Sequence, residues 1–172
     1  IASCLVGSEM CIRDRFTTNR ELMRARRVRQ NEPRLTVATL DLAAGRATQK
    51  VLPQEAEFPR IDPRRVGLRH RQVIHATLTR PDVPGFQAVA RTDVESGRSE
   101  RFVHGAQSIV EEHVFVPDGG KPGWVLGTSL DFGRRCTVLS CFAADHLAAG
   151  PVAQATLPYA LPLGLHGAFV KA

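Results

Sequence analysis

No run of about 18 consecutive apolar residues occurs in this 172-residue sequence, so it offers no helix able to span a membrane. No C-x-x-C pair occurs either. The four cysteines, Cys4, Cys11, Cys136 and Cys141, therefore give no zinc or redox motif. They read as buried free thiols in a reducing compartment, with Cys136 and Cys141, five apart, on opposite faces of a strand. Lysine is scarce: only Lys50, Lys121 and Lys171. The net charge of +6 is thus carried by arginine. A balance of that sign can attract nucleic acid or an anionic membrane. The arginines are spread along the chain and are not interleaved with aromatic residues, as stacking on single strands requires. They read as a solvated face, and no nucleic-acid partner is expected. The first residues lack a basic stretch ahead of an apolar core, which excludes a secretory signal there. What is present is ordinary globular composition, 43% hydrophobic and 23% charged, in a chain long enough for one domain with a real core.

Ile1 to Arg15 shows no clear period. Its string C-L-V-G-S-E-M-C-I-R-D-R resembles the translated read-through of a sequencing-library adapter. Residues 1–15 are therefore set aside as non-native, which predicts that residues 16–172 are the C-terminal part of a longer protein. From Leu35 the pattern becomes strands. Leu35–Leu40 alternates, an Asp41–Arg46 turn follows, and a second strand runs through Val51. The unit returns at Gln87–Arg91, Asp93–Arg98 and Glu100–Val103, and again at Val138–Phe142, Asp145–Gly150 and Val152–Leu157. Gly45 to Gly97 is 52 residues and Gly97 to Gly150 is 53. A hairpin recurring at about 50 residues is the period of propeller blades. The expected fold is all-β, a partial β-propeller of about three blades, which cannot close by itself. Between the hairpins, Glu57–Gly67 carries Pro59 and Pro63 and reads as an irregular connector. Glu112–Pro117 reads as a short strand, Asp118–Gly123 as a loop, and Trp124–Leu130 as a buried strand.

The C-terminal stretch L-P-Y-A-L-P-L-G-L-H-G-A-F, Leu157–Phe169, holds one histidine, His166, between two prolines and an apolar end. A histidine held on a stiff approach is a candidate metal ligand; the plain alternative is a satisfied turn or core histidine. Three motifs stand in order: E-F-P-R-I-D-P, E-H-V-F-V-P and L-P-L-G-L-H-G-A-F. Together they resemble the carotenoid cleavage oxygenase family, over about residues 20–172. The resemblance implies a seven-bladed propeller with Fe(II) on its axis, held by four histidines and backed by three glutamates. It implies cleavage of a conjugated C=C bond by O2, in an apolar polyene or stilbenoid substrate, to two carbonyl products. By motif, His166 is the last iron ligand, and Glu57 and Glu112 are two of the glutamates behind the ligands. Glu112 is expected to partner His166, since a ligand histidine usually gives its other N–H to a carboxylate. Glu57 is expected to serve a histidine outside this chain. The other three ligands have no match here, so this polypeptide alone is expected to be inactive. A cytoplasmic location, with peripheral membrane contact of the intact protein, completes the expectation.

Each assignment has a simpler alternative. Glu57 lies near Arg60, Arg64 and Arg65 and could be half of an ion pair. Glu111 and Glu112 are adjacent, so on a regular strand one of them faces out. His113 stands where the family more often has proline and is read as a strand side chain. His70 and His75 match no ligand motif, and His104 and His146 are expected at the surface. The competing reading of the whole chain is a metal-free β-propeller binding module.

Overall fold

The computed structural model describes residues 3–8, 33–80, 82–83, 85–164 and 166–171, as eleven strands in three antiparallel sheets. β1 (Ser3–Ser8), β2 (Arg34–Asp41) and β3 (Arg46–Glu55) form the first. β4 (Glu57–Arg60), β5 (Gln72–Thr77), β6 (Ala88–Asp93) and β7 (Ser99–Val103) form the second. β8 (Ser108–Asp118), β9 (Lys121–Asp131), β10 (Cys136–Ala143) and β11 (Pro151–Thr156) form the third. In each sheet, strands adjacent in sequence are adjacent in space. Three such up-and-down sheets set side by side are propeller blades, in the number that the repeat predicts. β1 lies in the stretch set aside as non-native; it pairs along its whole length with β2.

The cores lie between blades. Leu35, Val37, Leu52, Ala56, Val73 and Val94 are buried together where the first blade meets the second. Ile74, Ala76, Val89, Val110, Val125, Phe142, Ala144 and Leu147 are buried together where the second meets the third. β5 is buried on both faces because neighbouring residues serve different cores: Val73 the first junction, Ile74 the second. β3, β7 and β11 are largely exposed, which places them at the outer edges of their blades.

The first two repeated hairpins turn on the same chemistry. Asp41 Oδ1 accepts the Ala44 N–H, and Asp93 Oδ1 accepts the N–H groups of Glu95 and Ser96. Gly45 and Gly97 close these turns at φ +61° and +74°, which glycine adopts without strain. The third copy departs from the pattern. β10 and β11 are joined by a 3-10 turn, Leu147–Ala149, whose Leu147 is buried in the inter-blade core. The Asp-led turn of that blade lies instead between β9 and β10, where Asp131 Oδ1 accepts the Arg134 N–H.

Two further expectations are corrected. Glu57–Gly67 is not an irregular connector throughout: it opens with β4 and continues into a 3-10 turn, Pro63–Arg65. Pro59 is tolerated because β4 is an edge strand with a bulge, where two residues, Phe58 and Pro59, oppose one of β5, His75. Asp118–Gly123 is not a loop: β8 and β9 run almost to a tight turn at Gly119–Gly120. β9 is buried on one face only, through Gly123, Val125, Gly127 and Ser129, while Trp124 remains exposed.

Candidate metal-ligand site

The C-terminal segment leaves the outer edge of the third blade and crosses back to its first strand. Buried Thr137, on β10, steers the crossing: its backbone exchanges hydrogen bonds with Leu157 and Tyr159, and its Oγ1 accepts the Leu161 N–H. The segment then reaches β8 at Glu111 and Glu112.

Both glutamates are buried, against the expectation that one would face out. The reason is a β-bulge. Val110 pairs with Ser129 and His113 with Gly127, so two residues of β8, Glu111 and Glu112, oppose one of β9, Thr128, and the in–out alternation is broken. Each carboxylate then holds a different part of the tail. Glu111 accepts the Gly164 N–H at 2.5 Å and the Thr128 hydroxyl. Glu112 Oε2 accepts the Gly167 N–H at 2.6 Å, and its Oε1 lies 3.3 Å from His166 Nδ1. Glu112 is only 4% exposed, whereas the His166 ring is 66% exposed. With Nδ1–H donating to the carboxylate, Nε2 keeps its lone pair and is free to bind a cation.

The second blade contributes two more contacts. Arg60 forms a fork on Glu112, Nε to Oε1 at 2.8 Å and Nη2 to Oε2 at 2.9 Å. Burial pushes the Glu112 carboxyl up, but the Arg60 fork, the Gly167 amide and His166 outweigh it and hold the group below the usual carboxylate range. Phe58 meets the His166 ring edge-on, with centroids 6.0 Å apart. Its φ of +54° is unusual for a non-glycine residue and costs about 1 kcal/mol.

The structure thus brings His166 and Glu112 together. Glu57 lies on β4, where its Oε1 accepts the Phe58 N–H at 3.4 Å. Arg60, a suggested ion-pair partner of Glu57, is committed to Glu112, and Arg64 to Asp62. Sequence reasoning missed Arg60, Glu111 and Phe58. The E-F-P-R motif contained the signal for Arg60, but its partner lies 52 residues away in the next blade.

The other histidines divide by burial. His146 is exposed at a turn, as expected. His104 is not a surface residue: its ring packs edge-on against Phe102, His113 and Phe142 at the junction of two blades. Burial first, and then the neighbouring His113, push its pKa down to about 3. His113 is fully inside, its Nδ1–H donating to the Glu111 carbonyl at 3.0 Å; burial lowers its pKa to about 4. His75 is a core histidine hydrogen-bonded to Thr92 and the Ala76 carbonyl, and burial likewise lowers its pKa to about 4. Among the described residues no three His, Cys, Asp or Glu side chains converge to hold a metal ion. They fit one corner of a metal centre, His166 backed by Glu112, and not a whole cage.

A sequence profile of the retinal pigment epithelial membrane protein family matches residues 2–171. Lignostilbene-α,β-dioxygenase isozyme III of Sphingomonas paucimobilis is 29% identical over 130 residues, covering 67% of this chain and 26% of that protein. Apocarotenoid-15,15'-oxygenase of a Synechocystis strain is 27% identical over 143 residues, covering 77% of this chain and 28% of that protein. The chain thus spans little more than a quarter of these relatives. The cobalt-substituted apocarotenoid oxygenase of Synechocystis superposes with a TM-score of 0.74 at 24% identity, over 83% of this chain and 31% of that one. At that identity the superposition speaks for the fold.

Proposed function

The chain belongs to the retinal pigment epithelial membrane protein family, and from that premise we propose that it is part of a non-haem Fe(II) dioxygenase. The intact enzyme cleaves a conjugated C=C bond of a carotenoid, apocarotenoid or stilbenoid with O2, giving two carbonyl products. The relatives support this reading: one is named for lignostilbene and one for apocarotenoid, both as oxygenases. The observation that carries it to particular residues is the His166–Glu112 pair.

Each residue has a physical task in this reading. His166 presents Nε2 to the metal, and Glu112 fixes the ring's tautomer and direction from behind. Keeping the carboxylate one step back places negative charge near the cation without occupying a coordination position. Gly167 and Gly164, tied to Glu112 and Glu111, hold the backbone on either side of the ligand. Glu57 backs another ligand histidine, one outside this chain. Iron, when bound, supplies the redox chemistry toward O2. The remaining ligands come from outside the described residues, so this chain alone is inactive. A metal-free binding module would be favoured by Glu112 and His166 lying well apart; their 3.3 Å approach favours the oxygenase reading instead. A cytoplasmic location, with peripheral membrane contact of the intact protein, belongs to the same proposal. Free Cys136 and Cys141 suit a reducing compartment.

The test is a graft. Residues 33–171 replace the corresponding segment of the Synechocystis apocarotenoid oxygenase, and products are analysed after aerobic incubation with apocarotenal and stilbenoid substrates. Aldehyde products, lost in His166→Ala, are expected. A folded graft that loads iron and cleaves neither substrate class would contradict the proposal.

A further inference from the structure

The geometry points to Arg60 as a positioning residue for His166, acting across the blade boundary through the Glu112 carboxylate; this rests on the reading of His166 as a metal ligand. A glutamate side chain ends in a torsion that is broad and roughly two-fold, so a carboxylate held at one oxygen can swivel. The Gly167 amide reaches only Oε2. Without a second constraint, Oε1 would not stay opposite His166 Nδ1, and the 3.3 Å approach is already long for a hydrogen bond. Arg60 supplies that constraint. Its Nε and Nη2 meet the two oxygens in parallel, a fork–fork geometry that fixes the carboxylate plane. Nη2 also lies 3.4 Å from the Gly167 carbonyl, so the same side chain touches the backbone beside the ligand.

Arg60 reaches the site from the edge strand β4, as Phe58 does. Phe58 and Arg60, two apart, both reach toward the tail of the next blade: one lies edge-on to the ring, the other clamps the carboxylate behind it. Lysine could replace the charge but not the fork, since its ammonium is a point charge on a flexible stem. Arg60 therefore acts by geometry, and substitution at 60 releases the His166 ring while Glu112 is still present.

The experiment reads the ring without any metal. In the 172-residue chain with 15N-labelled histidine, long-range 1H–15N spectra at neutral pH report which nitrogen of His166 carries the proton. The wild type is expected to show Nδ1 protonated and Nε2 bare. Arg60→Gln and Arg60→Lys are both expected to lose that single-tautomer signature, while the Gly164 amide, held by Glu111, keeps its shift. Arg60→Lys retains bulk and charge, and so decides the matter if the glutamine variant loosens the tail. An unchanged tautomer in both variants, or full rescue by lysine, would overturn the inference. Zn(II) titration of the wild-type chain, followed at the same ring, separately tests His166 as a ligand, so either claim can fail without the other.

Discussion

Glu112 accepts from three partners at once: the Arg60 fork, the Gly167 amide and His166. Replacing it with glutamine removes the charge that all three share and leaves the Arg60 fork without its carboxylate. Glu112→Gln is expected to cost about 1–3 kcal/mol, read as a lower midpoint of urea unfolding. The pH dependence has a definite sign. The folded pKa of Glu112 lies below its ordinary value of 4.5, so its contribution is fully present above that value. It is lost as pH falls through the depressed folded value. In Glu112→Gln this part of the acid loss should be missing, which urea midpoints measured between pH 5 and the acid transition would show. At this scale the sequence was partly legible. His166 and Glu112 could be picked from their motifs, because each sits in a distinctive string. The roles of Arg60 and Glu111 were not legible: Arg60 stood inside a motif, but its partner is set by inter-blade contact, and that of Glu111 by a bulge, neither of which a local pattern shows.

β8 is the element on which the site depends, and the bulge at Glu111–Glu112 is what makes it unusual. A strand without it would turn one glutamate to solvent and release either Gly164 or Gly167. β9 matches the bulge with Gly127, which stands opposite His113. A Cβ added there would overlap the His113 ring. Gly127→Ala is therefore expected to displace that ring and destabilise the fold by about 1–3 kcal/mol, measured by thermal unfolding. A disturbed tail should accompany it, seen as shifted Gly164 and Gly167 amides, because His113 adjoins the glutamates that hold them. The hairpins were readable from alternation and Asp-led turns. β4 was not: two prolines disguised it, and only its place as an edge strand with a bulge accommodates Pro59.

Across the whole molecule, stability resides in the seams between blades, and those seams hold neutral histidines. His75, His104 and His113 have folded pKa values near 4, 3 and 4, below the ordinary 6.5. The unfolded chain therefore binds more protons as soon as pH falls below 6.5. Stability is complete above that value and declines toward pH 4, on the order of 1–3 kcal/mol per histidine. His104→Phe, which keeps an aromatic ring among Phe102 and Phe142, is expected to flatten this decline without loss of stability at pH 7; acid titration followed by circular dichroism checks it. The central claim is that His166 is one ligand of an iron centre completed by residues outside those described. Iron stoichiometry tests it most directly. After anaerobic Fe(II) loading and desalting, the graft into the Synechocystis enzyme should hold about one equivalent, and its His166→Ala variant and the isolated 172-residue chain far less. Full occupancy that survives the loss of His166 would contradict the account.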